Sequence, residues 1–411
     1  MNRHLVLVPG FGGFDALGTL RYYEGVTEVM ASTSFVLHYF PNLPTASVST
    51  RAEALLSFLH ERWRRREIRP GDEIHLVGHS TGGLDLRQLL LRFKELEDPT
   101  VRQPEDSALG VLRLIRSVQF ISTPHRGTNL VRRLNQPGVR QLLVRPLLRA
   151  FYESTRGLRE RGTAVGGRVL RRVLGRGQRQ ASDNWIDAVL DSMQGCYSGG
   201  GAYERALARA AYFELLRWLL HMASDSSALS DLSPVPLKGA PPSPAHRDDP
   251  EAERGFLIAH RIRYASLVTV ARPRSEGWWD LFNRAHALTA ESPDARLGST
   301  QSVRMLLEPS AHRILSLPDN DGLVNSVSQV WPDAASCALV EADHADVIGH
   351  YEADTGGDTH ATYKRYDLLN SSSSFGAETF REVWTRIAAF AEGQALGESA
   401  KASRRSSGAP G

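Results

Sequence analysis

Two cysteines in 411 residues, Cys196 and Cys337, are too few for a disulfide framework and have no metal-ligand spacing. One bridge or two buried thiols are the readings that remain. No uninterrupted apolar run reaches the roughly 20 residues of a membrane-spanning helix, so no transmembrane segment is expected. Met1 to His4 run straight into a strand pattern with no room for a secretion signal. This predicts a cytoplasmic location by default, unless the chain is a processed form. Charge of one sign is missing too: 49 basic against 46 acidic residues leave a net +3, which argues for no nucleic-acid partner. Lysine is scarce (Lys94, Lys238, Lys364 and Lys401), a skew toward arginine that genome composition explains as easily as function.

What the chain does have is ordinary apolar content and length enough for one enlarged α/β domain or two domains. Its organising stretch is Gly78-His79-Ser80-Thr81-Gly82-Gly83, between the apolar run Ile74 to Val77 and a helical pattern over Leu84 to Leu96. In a strand, tight turn, helix arrangement the turn residue takes strained dihedrals and projects above the carboxyl edge of a sheet. Ser80 is that residue, the candidate nucleophile. Cβ atoms at positions 78 and 82 would collide across the turn, and glycine meets that demand. The Thr81 N–H, opening the next helix, is aimed at a developing oxyanion. The plain alternative is a glycine turn between two elements.

Taken in order, His4 to Val8 read as a buried strand, and Pro9-Gly10-Phe11-Gly12-Gly13-Phe14 follow. The Phe11 N–H is the candidate second oxyanion donor, because the loop ends a strand one βαβ unit before the elbow. A helix over Leu20 to Ala31 and a strand over Phe35 to Phe40 come next. Ser49 or Thr50 is expected to cap a helix reaching Arg66, with Arg62, Arg64, Arg65 and Arg66 as its solvated basic face. Strand Ile115 to Ile121 leads into Ser122-Thr123-Pro124-His125-Arg126-Gly127-Thr128. This alternation predicts a mostly parallel sheet with helices on both faces and ligands at the strands' carboxyl ends.

Near the far end, Ile262 to Val270 read as a strand, with a helix around Trp278 to Leu288. His312 to Leu317 form another strand, whose carboxyl end carries Asp319-Asn320-Asp321-Gly322. A serine hydrolase needs a carboxylate to orient its histidine; Asp321 is the choice, with Asp319 a rival on spacing. Cys337 to Glu341 form the last strand, and His344 after it completes the order Ser80, Asp321, His344.

Five blocks carry a resemblance: Val8 to Gly13, Gly78 to Gly83, Ser122 to Thr128, Asn320 to Asn325 and Asp343 to Gly349. They resemble, in order, the corresponding blocks of bacterial triacylglycerol lipases of the α/β-hydrolase superfamily, especially its Gram-positive branch. The resemblance implies an α/β-hydrolase core over 1–128 and 256–393 and an ester or lipid substrate, with no cofactor required. At Asp346 it implies a calcium-liganding carboxylate that braces the histidine loop. The family's later acid falls on Tyr351 here, so calcium is offered one ligand of the several it needs. No histidines match the zinc-binding pair of a thermophilic subgroup, and the family's export signal is absent.

The middle, 129–255, breaks the alternation with helical patterns at Val139 to Tyr152, Trp185 to Met193 and Tyr203 to Met222, as in a lid or cap. Thirteen arginines from Arg132 to Arg179 face only Glu153 and Glu160 between residues 131 and 180. Such a face either draws the chain to anionic lipid or is solvated. Ser224 to Pro250 read as a mobile connector, Glu378 to Ala391 as a closing helix, and 394–411 as a disordered tail. The function expected is a lipase-like serine ester hydrolase. An acyltransferase, a phospholipase or thioesterase with the same triad, and a non-catalytic binding module are the alternatives.

Overall fold

Strand β1 (Arg3–Val8) shows how the core divides. Successive side chains of a strand point to opposite faces, so Leu5 and Leu7 enter one apolar layer and Val6 and Val8 the other. Every one of these four is fully buried, which explains why the strand reads as a continuous apolar run.

This computed structural model describes residues 1–13, 16–17, 20–98, 108–134, 227–236, 243–246, 249–274, 281–352, 367–369 and 371–396. After β1 come a small ribbon of β2 (Ala16–Leu17) and β3 (Leu20–Arg21), then α1 (Val26–Met30), β4 (Phe35–Tyr39) and α2 (Val48–Arg64). Next are β5 (Glu73–His79), α3 (Thr81–Leu96), α4 (Leu109–Leu112), β6 (Ile115–Ile121) and α5 (Asn129–Leu134). The later elements are α6 (Ser227–Asp231), α7 (Pro250–Ala259), β7 (Arg263–Val270), α8 (Leu281–Ala290), β8 (Gln301–Met305), β9 (His312–Leu315), β10 (Cys337–Glu341) and α9 (Ala377–Ala391).

The main sheet runs β4-β1-β5-β6-β7-β10-β8-β9. All neighbours are parallel except β8 and β9, the antiparallel edge. Helices α2, α3 and α7 cover one face through Leu55, Leu89, Phe93 and Leu257. On the other face α1 and α9 pack Val26, Phe380, Val383, Trp384 and Ile387. The apolar residues of α9 recur at helical spacing, and the Trp384 indole N–H donates to Val347 O at 2.9 Å.

Several expectations are corrected. The helix expected over Leu20–Ala31 is a strand pair partner and one short helix, because Gly25 sits in the left-handed region at φ 74° and restarts the chain. Helix α2 is capped by Ser47, whose Oγ accepts from Thr50 N at 3.2 Å, not by Ser49 or Thr50. Arg62 leaves the solvated face: its guanidinium lies 3.6 Å from the Phe58 ring centre, and its Nε donates to His38 Nδ1 at 3.0 Å.

Residues 227–236 do not behave as a free connector. Buried Asp231 accepts from Val48 N at 2.7 Å, and Leu232 O accepts from Thr128 N at 2.9 Å. Asn129 belongs to the core as well, its amide donating to the carbonyls of Leu288, Thr289 and Glu291. Arg132 and Arg133 reach the carbonyls of Ser292 and Glu291. The helical patterns expected within 135–226, the remaining arginines of that run, and residues 397–411 lie outside the described residues. Cys337 is a buried free thiol, its pKa pushed up to about 12 by burial.

Buried His75 on β5 pairs with Ser117 Oγ at 2.8 Å, and burial lowers its pKa to about 4, from an ordinary value of about 6.5. The unfolded chain therefore binds this proton more readily than the folded one. Stability from neutral His75 is complete above about pH 6.5 and is lost as pH falls toward 4. Urea midpoints of wild type and His75→Gln, measured from pH 7.5 down to 4.5, are expected to converge on acidification; a gap that stays constant or widens rules this out.

Candidate active site

Ser80 stands between β5 and α3 with φ 54° and ψ −128°, a conformation that few non-glycine residues adopt. Its N–H donates to Ile121 O at 2.8 Å, which fastens the turn to the end of β6. A Cβ at Gly78 would come within 2.7 Å of Gly82 C and O, and one at Gly82 within 2.3 Å of Val8 O. Both positions are thus closed to any side chain, as the sequence pattern implies.

The loop after β1 lies directly against this turn. A Cβ at Gly10 would meet Ser80 Cβ at 2.6 Å and Tyr22 Oη at 2.8 Å. Phe11 is the next residue, so the loop is within reach of the Ser80 side chain. Thr81 opens the 16-residue α3, whose first N–H groups have no acceptor within the helix. Gly10→Ala must move either the loop or Ser80. It is expected to lower kcat on an ester substrate by about 100-fold, the order of effect of a misplacement near 1 Å; wild-type turnover by a folded variant would disprove the packing argument.

The acid and the histidine meet at the same end of the sheet. His344 Nδ1 lies 2.8 Å from Asp321 Oδ2, and His344 N donates to Asp321 O at 3.0 Å. The Asp321 carboxylate also accepts from Thr269 Oγ1 at 2.7 Å, Gln329 Nε2 at 3.0 Å, Leu323 N at 3.1 Å and Val324 N at 2.8 Å. Asp321 is fully buried, and His344 is 6% exposed. Asp319 is occupied in its own turn, where Oδ2 accepts from Ser316 N and Oγ at 2.7 Å. Nothing in the sequence pattern marked Thr269 or Gln329. Strand order brings them to Asp321.

Ser80 and His344 come together through their neighbours. The His79 and His344 rings are 4.7 Å apart between centres, and His79 Nε2 lies 3.0 Å from His344 O. Burial, then the nearby His344, holds the His79 pKa well below the usual histidine range. The Ser80 hydroxyl makes no hydrogen bond among the described residues, so the geometry gives the Asp321–His344 link directly and the Ser80–His344 link only by proximity of the two loops. Catalytic hydrogen bonds often tighten only when substrate is bound.

A strained serine on a strand-to-helix turn, after a parallel strand and before a paired acid and histidine in that order, decides the architecture. The fold is that of the α/β-hydrolases. No family model matches the sequence. Curated relatives include a lipase of Staphylococcus epidermidis, 35% identical over 98 residues, and a lipase of Staphylococcus hyicus, 27% identical over 139 residues. These matches span 20% and 29% of this chain and only 14% and 21% of the relatives' lengths. Among solved structures, the Staphylococcus hyicus lipase is similar at 14% identity and TM-score 0.45, covering 95% of each chain. EstA from Clostridium botulinum is similar at 18% identity and TM-score 0.45, covering 94% of this chain and 87% of its own. Both of these curated relatives are bacterial lipases, the family that the five sequence blocks resemble.

Asp346 braces the histidine loop through hydrogen bonds. Its Oδ2 accepts from Asp343 N at 2.8 Å and Ser373 Oγ at 2.7 Å, while Asp343 Oδ1 accepts from Ala345 N at 2.8 Å and Asp346 N at 3.0 Å. Burial raises both carboxyls, Asp343 to about 7 and Asp346 well above its usual value. Among the described residues no group of three or more His, Cys, Asp or Glu side chains is arranged to hold a metal ion. Calcium takes six to eight oxygens; here the buried Asp343 Oδ2 has no hydrogen-bond partner among the described residues, and the Asp367 carboxyl lies near both acids.

Proposed function

We propose that the protein is a serine carboxylic-ester hydrolase of lipase type, acting on acyl esters of the acylglycerol class. The observation that carries this reading is the buried Asp321–His344 pair beside the strained Ser80 turn. Ser80 Oγ attacks the ester carbonyl while His344 Nε2 takes its proton; Asp321 holds Nδ1 and stabilises the imidazolium that forms. The Phe11 and Thr81 N–H groups receive the oxyanion. His344 returns the proton to the leaving alcohol. A water, deprotonated by the same imidazole, then attacks the acyl-enzyme and releases the acid.

The lipase relatives support the ester part of this reading. Among the described residues no helix is long and apolar enough to cross a membrane. The arginine-rich insertion is the segment whose charge suits transient contact with anionic lipid.

The test is a series of p-nitrophenyl esters from acetyl to palmitoyl, with and without calcium and with excess alcohol. Long-chain hydrolysis that needs Ser80 is the expected result. Turnover of acetyl esters alone would refute the acylglycerol substrate, and no turnover of any ester would refute the hydrolase.

A further inference from the structure

Four residues, three from separate loops and His79 from the end of β5, form a single chain of hydrogen bonds around Ser80. Gly10 N–H donates to Tyr22 Oη at 2.8 Å, Tyr22 Oη lies 2.7 Å from His79 Nδ1, and His79 Nε2 lies 3.0 Å from His344 O. Chemistry fixes both ends, because an amide N–H only donates and a carbonyl only accepts. The direction follows. The carbonyl of His344 requires the proton on His79 Nε2; in the buried, neutral ring Nδ1 is then an acceptor, so Tyr22 accepts from Gly10 and donates to His79.

Both rings are buried, Tyr22 to 9% and His79 to 1% exposure. Burial raises the tyrosine pKa above its usual range and lowers that of His79 well below its own, so both stay uncharged at neutral pH. The same segment is fastened to the histidine loop at two further points. Tyr22 O accepts from His350 Nε2 at 3.2 Å, and Glu24 N donates to Ile348 O at 2.8 Å. By contrast, Gly12 N–H binds Pro44 O and Gly13 N–H binds Gly10 O.

We propose that Tyr22 and His79 are positioning residues that couple the oxyanion loop at Gly10 to the loop carrying His344. Their chain fixes the spacing between the Phe11 N–H and the His344 imidazole on either side of Ser80. The His79 ring packs beside the His344 ring, and neither Tyr22 nor His79 hydrogen-bonds to the Ser80 hydroxyl among the described residues. The inference rests on the ester-hydrolase reading of Ser80 and His344, since only then does that spacing govern turnover. The two donors of charge and proton must act on one tetrahedral centre, and displacing either loses transition-state stabilisation without weakening substrate binding.

The experiment compares Tyr22→Phe, His79→Asn and the double variant with wild type. Each single change is expected to lower kcat by roughly 10- to 100-fold with KM within about twofold. Affinity for a boronic acid, which mimics the oxyanion intermediate, should fall in step with kcat. Because both changes cut one chain, the double variant should be no worse than the poorer single variant. Nitrogen NMR of wild type should find His79 protonated on Nε2 alone.

Losses that multiply in the double variant, a KM effect without a kcat effect, or His79 protonated on Nδ1 would each overturn the proposal. Should His79→Asn fail to fold, the isosteric Tyr22→Phe and the wild-type tautomer decide it. A wild type that cleaves no ester removes the hydrolase reading, and the tautomer then decides by itself whether the chain exists.

Discussion

Replacing Ser80 by alanine is expected to lower kcat on p-nitrophenyl esters by about 10⁵- to 10⁶-fold, the scale seen when a triad nucleophile is removed. Alanine keeps the Cβ that packs on Gly10 and meets the same backbone demand at φ 54°, so the turn and the fold should survive. The Phe11 and Thr81 N–H groups remain, and residual catalysis of roughly 10³-fold over water is expected from them. A fluorophosphonate probe should label wild type at Ser80 and leave the variant unlabelled. More than a tenth of the activity surviving in a folded Ser80→Ala protein would place the chemistry elsewhere.

Asp321→Asn carries the second large effect, a drop of about 10⁴-fold in kcat at neutral pH with little change in KM. His344 Nδ1 needs an acceptor at 2.8 Å to keep its proton there and leave Nε2 free as the base. An asparagine amide would be free to turn its NH₂ toward Nδ1 and favour the other tautomer. The carboxylate also serves Thr269, Gln329 and two backbone N–H groups, and the amide nitrogen can accept from none of them. Asp319→Asn is the control: its oxygen serves Ser316, and kcat should stay within roughly threefold of wild type. A larger loss in Asp319→Asn than in Asp321→Asn would exchange their roles.

The elements read most faithfully from sequence are the buried parallel strands. Ile115–Ile121 and Cys337–Glu341 fall where the sequence placed them, because both are short, mostly buried stretches whose Ile, Val, Phe and Leu side chains outweigh the few polar ones within them. Misreadings gather where a short range of chain is ruled by one backbone angle or one distant partner. Gly25 interrupts a plausible helix, Ser47 caps α2 ahead of two equally suitable residues, and Asp231 anchors a stretch whose composition resembles a linker. The acid was expected at the end of the strand before it. That strand, β9, is an antiparallel edge, and Asp321 is held instead over the end of β7 through Thr269.

By itself the sequence determined the alternation of strands and helices, the turn around Ser80 and the chain order of serine, acid and histidine. Each of these is local: a period of burial, a glycine where a Cβ collides, a polar residue just past an apolar run. The tertiary structure alone decided which acid meets His344, that Thr269 and Gln329 saturate its carboxylate, and that Tyr22 and His79 link Gly10 to the histidine loop. Those contacts join residues far apart in the chain. They exist because β1, β5, β6, β7 and β10 stand side by side with their carboxyl ends together, an order that no window of neighbouring residues encodes.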